Sequence, residues 1–213
     1  MPAEEQGHHG FDPDRVVVAN TAIMQSLANP LRMRLLGLLR VHGPSTATKL
    51  AARVGESSGL TSYHLRQLAS VGLVTEAGPE DLMGVRQTGG RERWWKASHE
   101  ATAVTQLPDP DDEAATAAVG DYARAVLAAS SAKAHAWLST AYRWPVDWRD
   151  TTSFDDTELH LTVAEATRLR AELGAVLAKY RHHSPGAEPP PGTAIVSAQF
   201  QVFPYPDQEP PAE

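Results

Sequence analysis

The sequence predicts an α+β fold that is mainly α-helical. Apolar residues recur at helical spacing in several segments, which is the pattern of helices that bury one face. Several of these segments open on a capping residue and close on glycine or proline, the usual signals for a helix start and a helix stop. Shorter runs that alternate apolar and polar residues lie among the helices and predict half-buried strands.

Two helix starts are marked in the first 30 residues. Asp12 precedes Pro13 and Asn29 precedes Pro30, and each pair combines a capping side chain with a proline that suits the first helical position. The first helix is expected to continue through Leu27. The second carries several leucines on one face and is expected to end at the glycine and proline near position 43.

Two shorter helices are predicted next, over residues 46–54 and from a cap at Ser57 or Ser58. Each has apolar residues at helical spacing. Gly55 marks the end of the first of these helices, because glycine commonly terminates a helix. Only a few residues around Gly55 therefore join the two helices. Two helices with so short a connection predict a helix-turn-helix.

A hairpin is predicted after these helices. Leu73–Val74 is a short apolar strand, and a glycine-rich polar stretch follows it. The segment "RERWWKA", residues 91–97, is predicted to be the returning strand, because aromatic residues favour a half-buried pleated surface. At least one of Trp94 and Trp95 is expected in the core. Three helices and then such a hairpin predict a winged helix-turn-helix.

Each part of a winged helix-turn-helix has chemistry that suits double-stranded DNA. An α-helix fits the major groove, and small or hydroxyl residues near its start let the backbone approach phosphates and base edges closely. Arginines on the wing can pair with phosphate or enter the minor groove. The wing residues that we predict to contact DNA are Arg86, Arg91 and Arg93.

The distribution of charge supports the same partner. The whole chain has a net charge of -7, but residues 20–98 hold 10 Lys or Arg and 5 Asp or Glu. This segment is therefore +5, and the rest of the chain is -12. A basic segment supplies the sequence-independent part of an affinity for DNA.

Composition excludes several classes of site. The chain has no cysteine, so it has no disulfide, thiolate metal site or cysteine nucleophile, and we expect a reducing compartment, the cytoplasm. No apolar run approaches the roughly 20 residues that cross a bilayer, so no membrane partner is expected. No phosphate loop, nucleotide fingerprint, serine elbow or metal-protease helix is present, and we expect neither a cofactor nor an enzyme.

The segment "LANPLRMRLLGLLRVHGPSTATKLAARVGESSGLTSYHLRQLASVGLVTEAG", with "GGRERWWKA" after it, resembles the ArsR-type winged-helix transcriptional regulators. The resemblance covers roughly residues 24–97. It implies a homodimer that binds operator DNA and represses until a ligand releases it. It also implies that the following residues lie on or beside the recognition helix: Ser57, Ser58, Gly59, Thr61, Ser62, Tyr63, His64 and Arg66.

Some residues of this set have a second interpretation. His64 could contact phosphate or cover the seam between helix and wing, and Tyr63 could be a DNA contact or a packing residue. For Arg91 and Arg93, which share one face of the strand, DNA contact is favoured over an ordinary solvated hairpin.

The chain departs from the metal-sensing members of that family. Many carry a cysteine pair on the helix before the recognition helix, where this sequence reads "TATKLAARV". The second metal site of the family, on the last helix, is represented only by Asp121 and His135. The sequence therefore predicts no metal site.

The sequence divides into five predicted regions. These are a flexible N-terminus, residues 1–12; the winged helix-turn-helix, residues 13–106; an acidic linker, residues 107–113; a C-terminal dimerisation or effector region, residues 114–206; and a flexible tail, residues 207–213.

The C-terminal region is predicted to begin with a long alanine-rich helix, residues 114–142. Such a helix depends on packing for its stability. The resemblance implies a dimer interface formed with the N-terminal helix, and a core helix within one chain is the alternative. A strand-helix-strand unit is predicted next, with strands at residues 157–161 and 193–203. Two strands make a poor sheet, so we expect a third strand, a sheet completed by the dimer, or both.

Aromatic residues cluster between the long helix and this unit. Beside arginines they could line a pocket for a small organic effector, and Arg143 or Arg149 could bind its anionic group. The alternative, which we favour, is a hydrophobic core that joins two layers. The candidate pocket residues are Trp137, Tyr142, Arg143, Trp144, Trp148 and Phe154.

Together these patterns predict a cytoplasmic DNA-binding regulator, and the resemblance implies that it is a homodimer and a repressor rather than an activator. The long helices would set two recognition helices about 34 Å apart, one turn of DNA. A winged-helix module for protein interaction without specific DNA binding is the alternative, and an enzyme is less favoured.

Overall fold

The computed structural model describes residues 15–83, 92–104, 107–180, 183, 185, 188–207 and 209. It is mainly helical with small sheets, which confirms the predicted α+β class. Within these ranges the helices are α1 (Thr21–Leu27), α2 (Pro30–His42), α3 (Ala47–Val54), α4 (Ser58–Ser70), α5 (Glu113–Thr140), α6 (Val146–Arg149) and α7 (Val163–Ala178). The strands are β1 (Val16–Val18), β2 (Ser45–Thr46), β3 (Val74–Glu76), β4 (Trp94–Ala97) and β5 (Ala101–Ala103).

The starts of α2 and α4 are capped by the predicted side chains. Asn29 Oδ1 accepts hydrogen bonds from the backbone N–H groups of Leu31 and Arg32, both at 3.1 Å. Ser57 Oγ accepts from the N–H of Leu60 at 3.2 Å. These bonds satisfy N–H groups that have no partner inside the helix. The register of both helices is therefore determined locally.

The connection between α3 and α4 is as short as predicted. Gly55 ends α3 in the left-handed region, at φ 79°, and its N–H donates to the carbonyl of Ala51 at 2.9 Å. A residue with a Cβ is strained in that conformation. The chain reverses within three residues, from Gly55 to Ser57, so α4 begins directly beside α3.

The hydrophobic core lies between α2, α3, α4 and the three-stranded sheet. Fully burying one leucine contributes about 1.5–3 kcal/mol, so this cluster is the main source of stability for the described part of the chain. Its leucines are each exposed by 1% or less, and they are Leu27, Leu35, Leu36, Leu39, Leu50, Leu65, Leu68 and Leu73.

The wing is rooted in an antiparallel sheet with the strand order β2-β4-β3. Thr46 pairs with Trp94 and Val74 pairs with Ala97. Both tryptophans of β4 are buried. Trp95 joins the leucine core, and the Trp94 ring lies beneath the Lys49 ammonium at 4.2 Å from its centroid. The prediction that at least one of the two is a core residue is confirmed.

The prediction of one helix from Asp12 to Leu27 is wrong where the structure describes that segment. Residues 16–18 form β1, which pairs in parallel with β5, and α1 begins only at Thr21. Three consecutive valines favour an extended backbone when a neighbouring strand is present. Asp12 and Pro13 lie outside the described residues.

The long helix α5 is confirmed, and its first half packs on the winged helix-turn-helix. Ala115, Ala118 and Ala125 are buried, and Tyr122 packs against the leucine core. The small alanine side chains allow close approach to α1 and α2. None of the described helices is long and apolar enough to span a membrane.

The C-terminal unit agrees with the sequence only in its helix. The predicted capping box of α7 is confirmed, because Thr162 and Glu165 bond reciprocally. The strands predicted at residues 157–161 and 193–203 are absent from the described chain. A strand requires a hydrogen-bonded neighbour, and the structure pairs neither segment with another backbone.

Truncation of a core leucine on α4 should destabilise the winged helix-turn-helix. Leu65→Ala removes a fully buried side chain and leaves a cavity, so we expect the free energy of unfolding to fall by about 2–5 kcal/mol. The exposed Gln67→Ala on the same helix should change it by about 0.5 kcal/mol or less. Urea unfolding followed by circular dichroism measures both. Equal effects of the two changes would contradict this assignment of the core.

Candidate nucleic-acid interface

Helix α4 presents one polar face to solvent beside the wing. Gly59, Tyr63 and Arg66 are exposed and Ser62 is half-buried. They recur three and four residues apart, so they lie on one side of the helix. Gln67 is exposed on the same helix. Sequence reasoning missed Gln67, although its spacing from Tyr63 could have identified it.

Thr61 and His64 lie on the opposite face of α4. Thr61 is 0% exposed and His64 is 8% exposed. Together with Leu65 and Leu68 they form the buried face, because positions three, four and seven residues apart point the same way on a helix. The interface predicted from the sequence must therefore be corrected at these two positions, which are oriented toward the core.

His64 is held in an environment that disfavours its charged form. Burial lowers the pKa of His64, the positive charge of Arg32 lowers it further, and Glu56 acts in the opposite direction. Within the described residues His64 Nδ1 and Thr61 Oγ1 have no hydrogen-bond partner. A protonated imidazole at this place would lack a compensating acceptor for Nδ1, so the neutral form is favoured.

The start of α4 is exposed and polar. Ser57, Ser58 and Gly59 are exposed, as the sequence predicted for residues beside a groove. The Ser57 hydroxyl is already the helix cap, so its role in the free protein is to fix the helix start. Ser58 has a short side chain and Gly59 has none at the N-terminal end, where unpaired backbone N–H groups attract anions.

A polar cleft separates α4 from the wing. It has a volume of about 320 Å³ and lies between the start of α3, the middle of α4 and the approach to β4. Arg66 and Arg93 both line it, from α4 and from the wing side respectively. The other polar side chains at the cleft are Thr46, Thr48, Ser62 and Glu92.

The side chain of Arg93, at the root of the wing, lies over an aromatic ring. The Arg93 guanidinium lies 5.5 Å from the Trp95 ring centroid, and its Nε is 3.3 Å from a carboxylate oxygen of Glu76. Because Arg93 and Glu76 are both well exposed, the pair contributes little to stability. Arg86 and Arg91 lie outside the described residues.

The aromatic segment after α5 forms a stacked cluster. The rings of Trp137 and Trp144 lie edge to face at 5.6 Å, and those of Trp144 and Trp148 at 6.0 Å. Arg143 Nε donates to the hydroxyl of Tyr142 at 3.0 Å. None of these side chains lines the cleft between α4 and the wing. An effector pocket among them stays a prediction.

Phe154 is the remaining member of the predicted pocket, and it is 61% exposed. Within the described part of the chain, no three His, Asp or Glu residues lie close enough to hold a metal ion. Asp121, which the sequence comparison with metal sensors singled out, pairs with Arg124 on the surface of α5.

Residues 27–77 match the family described as a helix-turn-helix domain. The matched segment runs from the end of α1 through β3 and so includes α4 with its exposed face. No curated protein matches the chain. The chain contains a helix-turn-helix domain, and its general role is that of a DNA-binding regulator.

The buried His64 should make stability depend on pH. Because the folded-state pKa lies below the ordinary value, the unfolded chain binds the proton more readily. This contribution is fully present above about pH 6.5 and is lost as the pH falls below it. Burial also lowers the pKa of His42 and of His99, so these contribute in the same direction. His64→Gln removes one of the three contributions, so its urea midpoint should fall less between pH 7.5 and pH 5.5 than that of the unchanged chain.

The exposed Gln67→Ala, which removes no titrating group from the same helix, provides the control for this comparison. It should leave the pH dependence as it is in the unchanged chain. If His64→Gln also retains the full pH dependence, His64 is not one of the titrating groups.

Proposed function

We propose that the chain is a homodimeric transcriptional regulator that binds double-stranded DNA, of ArsR type and a repressor. The observation that carries this proposal is the position of Arg66 and Arg93 on two walls of one polar cleft beside the exposed face of α4. One arginine extends from the helix that would enter the major groove, and the other extends from the wing.

The proposed contacts follow from the exposed side chains of α4. Tyr63, Arg66 and Gln67 have the reach to meet base edges, while Ser58 and Gly59 allow close approach to a phosphate. Arg93 would pair with the backbone, and Arg86 and Arg91 would extend this contact along the wing. The charge of +5 over residues 20–98 supplies the non-specific part of the affinity.

Thr48 adds a further phosphate contact to this proposal. It lines the cleft at the start of α3 and is exposed, whereas its neighbour Thr46 is buried and caps the helix. A backbone N–H group or hydroxyl at a helix start is a common donor to phosphate. A duplex that seats on Arg66 would bring a phosphate near this end of α3.

Homodimer formation is supported by the exposed apolar surface of the C-terminal region. Beyond residue 106, 18 large hydrophobic side chains are exposed in the described chain, against 4 before it. In the same region only three alanines and one glycine are buried. A monomer rarely leaves so much apolar surface uncovered, so a second copy is the natural cover.

Two leucines place the proposed dimer contact on α5. Leu127 is 48% exposed and Leu138 is 57% exposed. They are eleven residues apart, about three helical turns, and therefore lie on one face. The first half of α5 packs on the winged helix-turn-helix. Leu127 and Leu138 lie in its second half, which a partner chain would cover.

Protein interaction without specific DNA binding is the competing interpretation. A winged helix used only for protein contacts has no need of basic side chains on both walls of a cleft. The two interpretations differ in the dependence of DNA affinity on salt.

Removal of the Arg93 side chain should weaken DNA binding and make the affinity less dependent on salt concentration. Arg93→Ala is expected to lower the affinity for all duplexes and to reduce the slope of log affinity against log salt by about 1. Arg66→Ala should cost about 1–3 kcal/mol and relax the preference at one base position. Fluorescence anisotropy with duplexes recovered from a genome-fragment selection measures both.

Arg124→Ala on the surface of α5 is the matched control, because it removes the same charge from an exposed residue that does not line the cleft. It should leave affinity and salt slope unchanged. Recovery of no palindromic site, together with identical salt slopes for Arg93→Ala and the unchanged chain, would rule out the proposed interface.

Introduction of charge on the exposed face of α5 should dissociate the proposed dimer. The double change Leu127→Glu, Leu138→Glu would bury carboxylates at an apolar contact, so the dimer dissociation constant should rise by at least about tenfold. Sedimentation velocity measures it. Met83→Glu, at a residue that is 79% exposed outside this region, should leave the dimer intact.

A further inference from the structure

A second cavity lies where the C-terminal region meets the winged helix-turn-helix. It has a volume of about 310 Å³, within the range of small-molecule sites. Its walls come from the end of α2, from the strands β1 and β5, from α5, and from residues 195–197 near the C-terminal end. We refer to it as the α2–α5 cavity. Sequence reasoning missed it, because its walls are distant in the chain.

One side of the α2–α5 cavity is apolar. Val16 and Val41 contribute from the winged helix-turn-helix, and Ile195 and Val196 contribute from the C-terminal segment. Ile195 and Val196 are 57% and 69% exposed, so this wall is open to an entering molecule. Such a surface suits the aryl or alkyl part of a ligand.

The other side of the cavity is cationic. Arg15, Arg40 and Lys133 line it, and Glu100 is the acidic residue among the described lining residues. Glu100 is already paired, since its carboxylate lies 2.5 Å from Arg15. Arg40 and Lys133 therefore have no unpaired acidic residue beside them in the described lining.

Arg40 is the residue of the α2–α5 cavity on which the inference rests. Its Nε donates to the carbonyl of His99 at 3.0 Å and its Nη2 donates to Thr102 Oγ1 at 2.8 Å. Burial lowers the pKa of Arg40 to about 10, so the side chain stays charged at neutral pH. Within the described residues it forms no ion pair with a carboxylate. Arg40 is partly buried. A charge that has lost part of its hydration and has no counter-ion is costly, and an anionic ligand would relieve that cost.

We propose that the α2–α5 cavity binds a small amphipathic monocarboxylate, with its carboxylate at Arg40 and Lys133 and its apolar part against Val41, Ile195 and Val196. A carboxylate accepts two hydrogen bonds from a guanidinium, and a nearby ammonium adds a charge-assisted bond. The apolar wall discriminates against inorganic anions, which gain nothing from it. Lys133 is exposed on α5 and is the residue that a ligand would draw toward the winged helix-turn-helix.

The position of the site gives the ligand a regulatory effect, a consequence that rests on the proposed function. Arg40 ties α2 to β5 and to the turn before it, while Lys133 belongs to the helix proposed for dimer contact. A ligand bound to both residues favours one placement of α5 relative to α4. It would therefore alter the spacing of two recognition helices and the affinity for DNA.

The test uses benzoate, 2-naphthoate and octanoate as probes, each beside its neutral amide, and the full chain without DNA. Isothermal titration calorimetry should show one site per chain and at least one carboxylate that binds at least about tenfold more tightly than its amide. Lys133→Met should lower the affinity for that carboxylate by about tenfold, whereas Lys133→Arg should retain the affinity. Lys179→Met, which removes an exposed lysine outside the cavity, should have no effect.

Two outcomes overturn the proposal. The first is that no carboxylate binds more tightly than its amide. The second is that Lys133→Met binds as tightly as the unchanged chain, which would place the probe on other exposed apolar surface.

DNA binding measured on the same protein separates the two proposals. DNA binding without carboxylate binding would leave the proposed function intact and refute only the site. Carboxylate binding at Lys133 without DNA binding would retain the site and refute the regulator. When both occur, the carboxylate should change the DNA affinity, and Lys133→Met should abolish that change.

Discussion

The packing of leucines between α2, α3, α4 and the sheet is the interaction on which the rest of the structure depends. It uses one face of α4, so Thr61, His64 and Leu65 are buried. The other face is consequently left exposed beside the wing. Any function of α4 in binding follows from this division, because burial of one face determines which side chains remain available.

The same core also sets the position of the wing. Trp95 belongs to the core, and Arg93, two residues before it on the incoming strand, stacks over its ring. Burial of one side chain thus orients the charge of another. Arg66 and Arg93 come to line the same cleft although 27 positions separate them in the sequence. The basic segment becomes a basic surface only through this packing.

The C-terminal region follows a different physical rule. Its helices and irregular segments keep large apolar side chains exposed, and its buried residues are small. A region of this kind derives its stability from what covers it. The α2–α5 cavity lies at the boundary between this region and the core, where Arg40 is anchored on one side and Lys133 projects from α5 on the other. A ligand at that boundary would connect the two parts.

Local chemistry made much of the fold predictable from the sequence. The caps at Asn29, Ser57 and Thr162, the left-handed Gly55 and the helical spacing of apolar residues each act within a few positions, so α2 to α5 and α7 were predicted close to their observed bounds. The basic charge of the middle segment is also a property of sequence alone. The sequence located α4 but not its buried face, so the candidate DNA contacts on this helix were predicted as a nearly continuous run of residues.

Only the tertiary structure decided what depends on neighbours distant in the chain. It turned residues 16–18 into a strand because β5 lies beside them, and it left residues 157–161 and 193–203 unpaired because the described chain offers them no partner strand. It buried Thr61 and His64 and left Tyr63 and Arg66 at the surface. The sequence determined which residues could form helices and bind an anion, and long-range packing determined which of their faces remain free to do so.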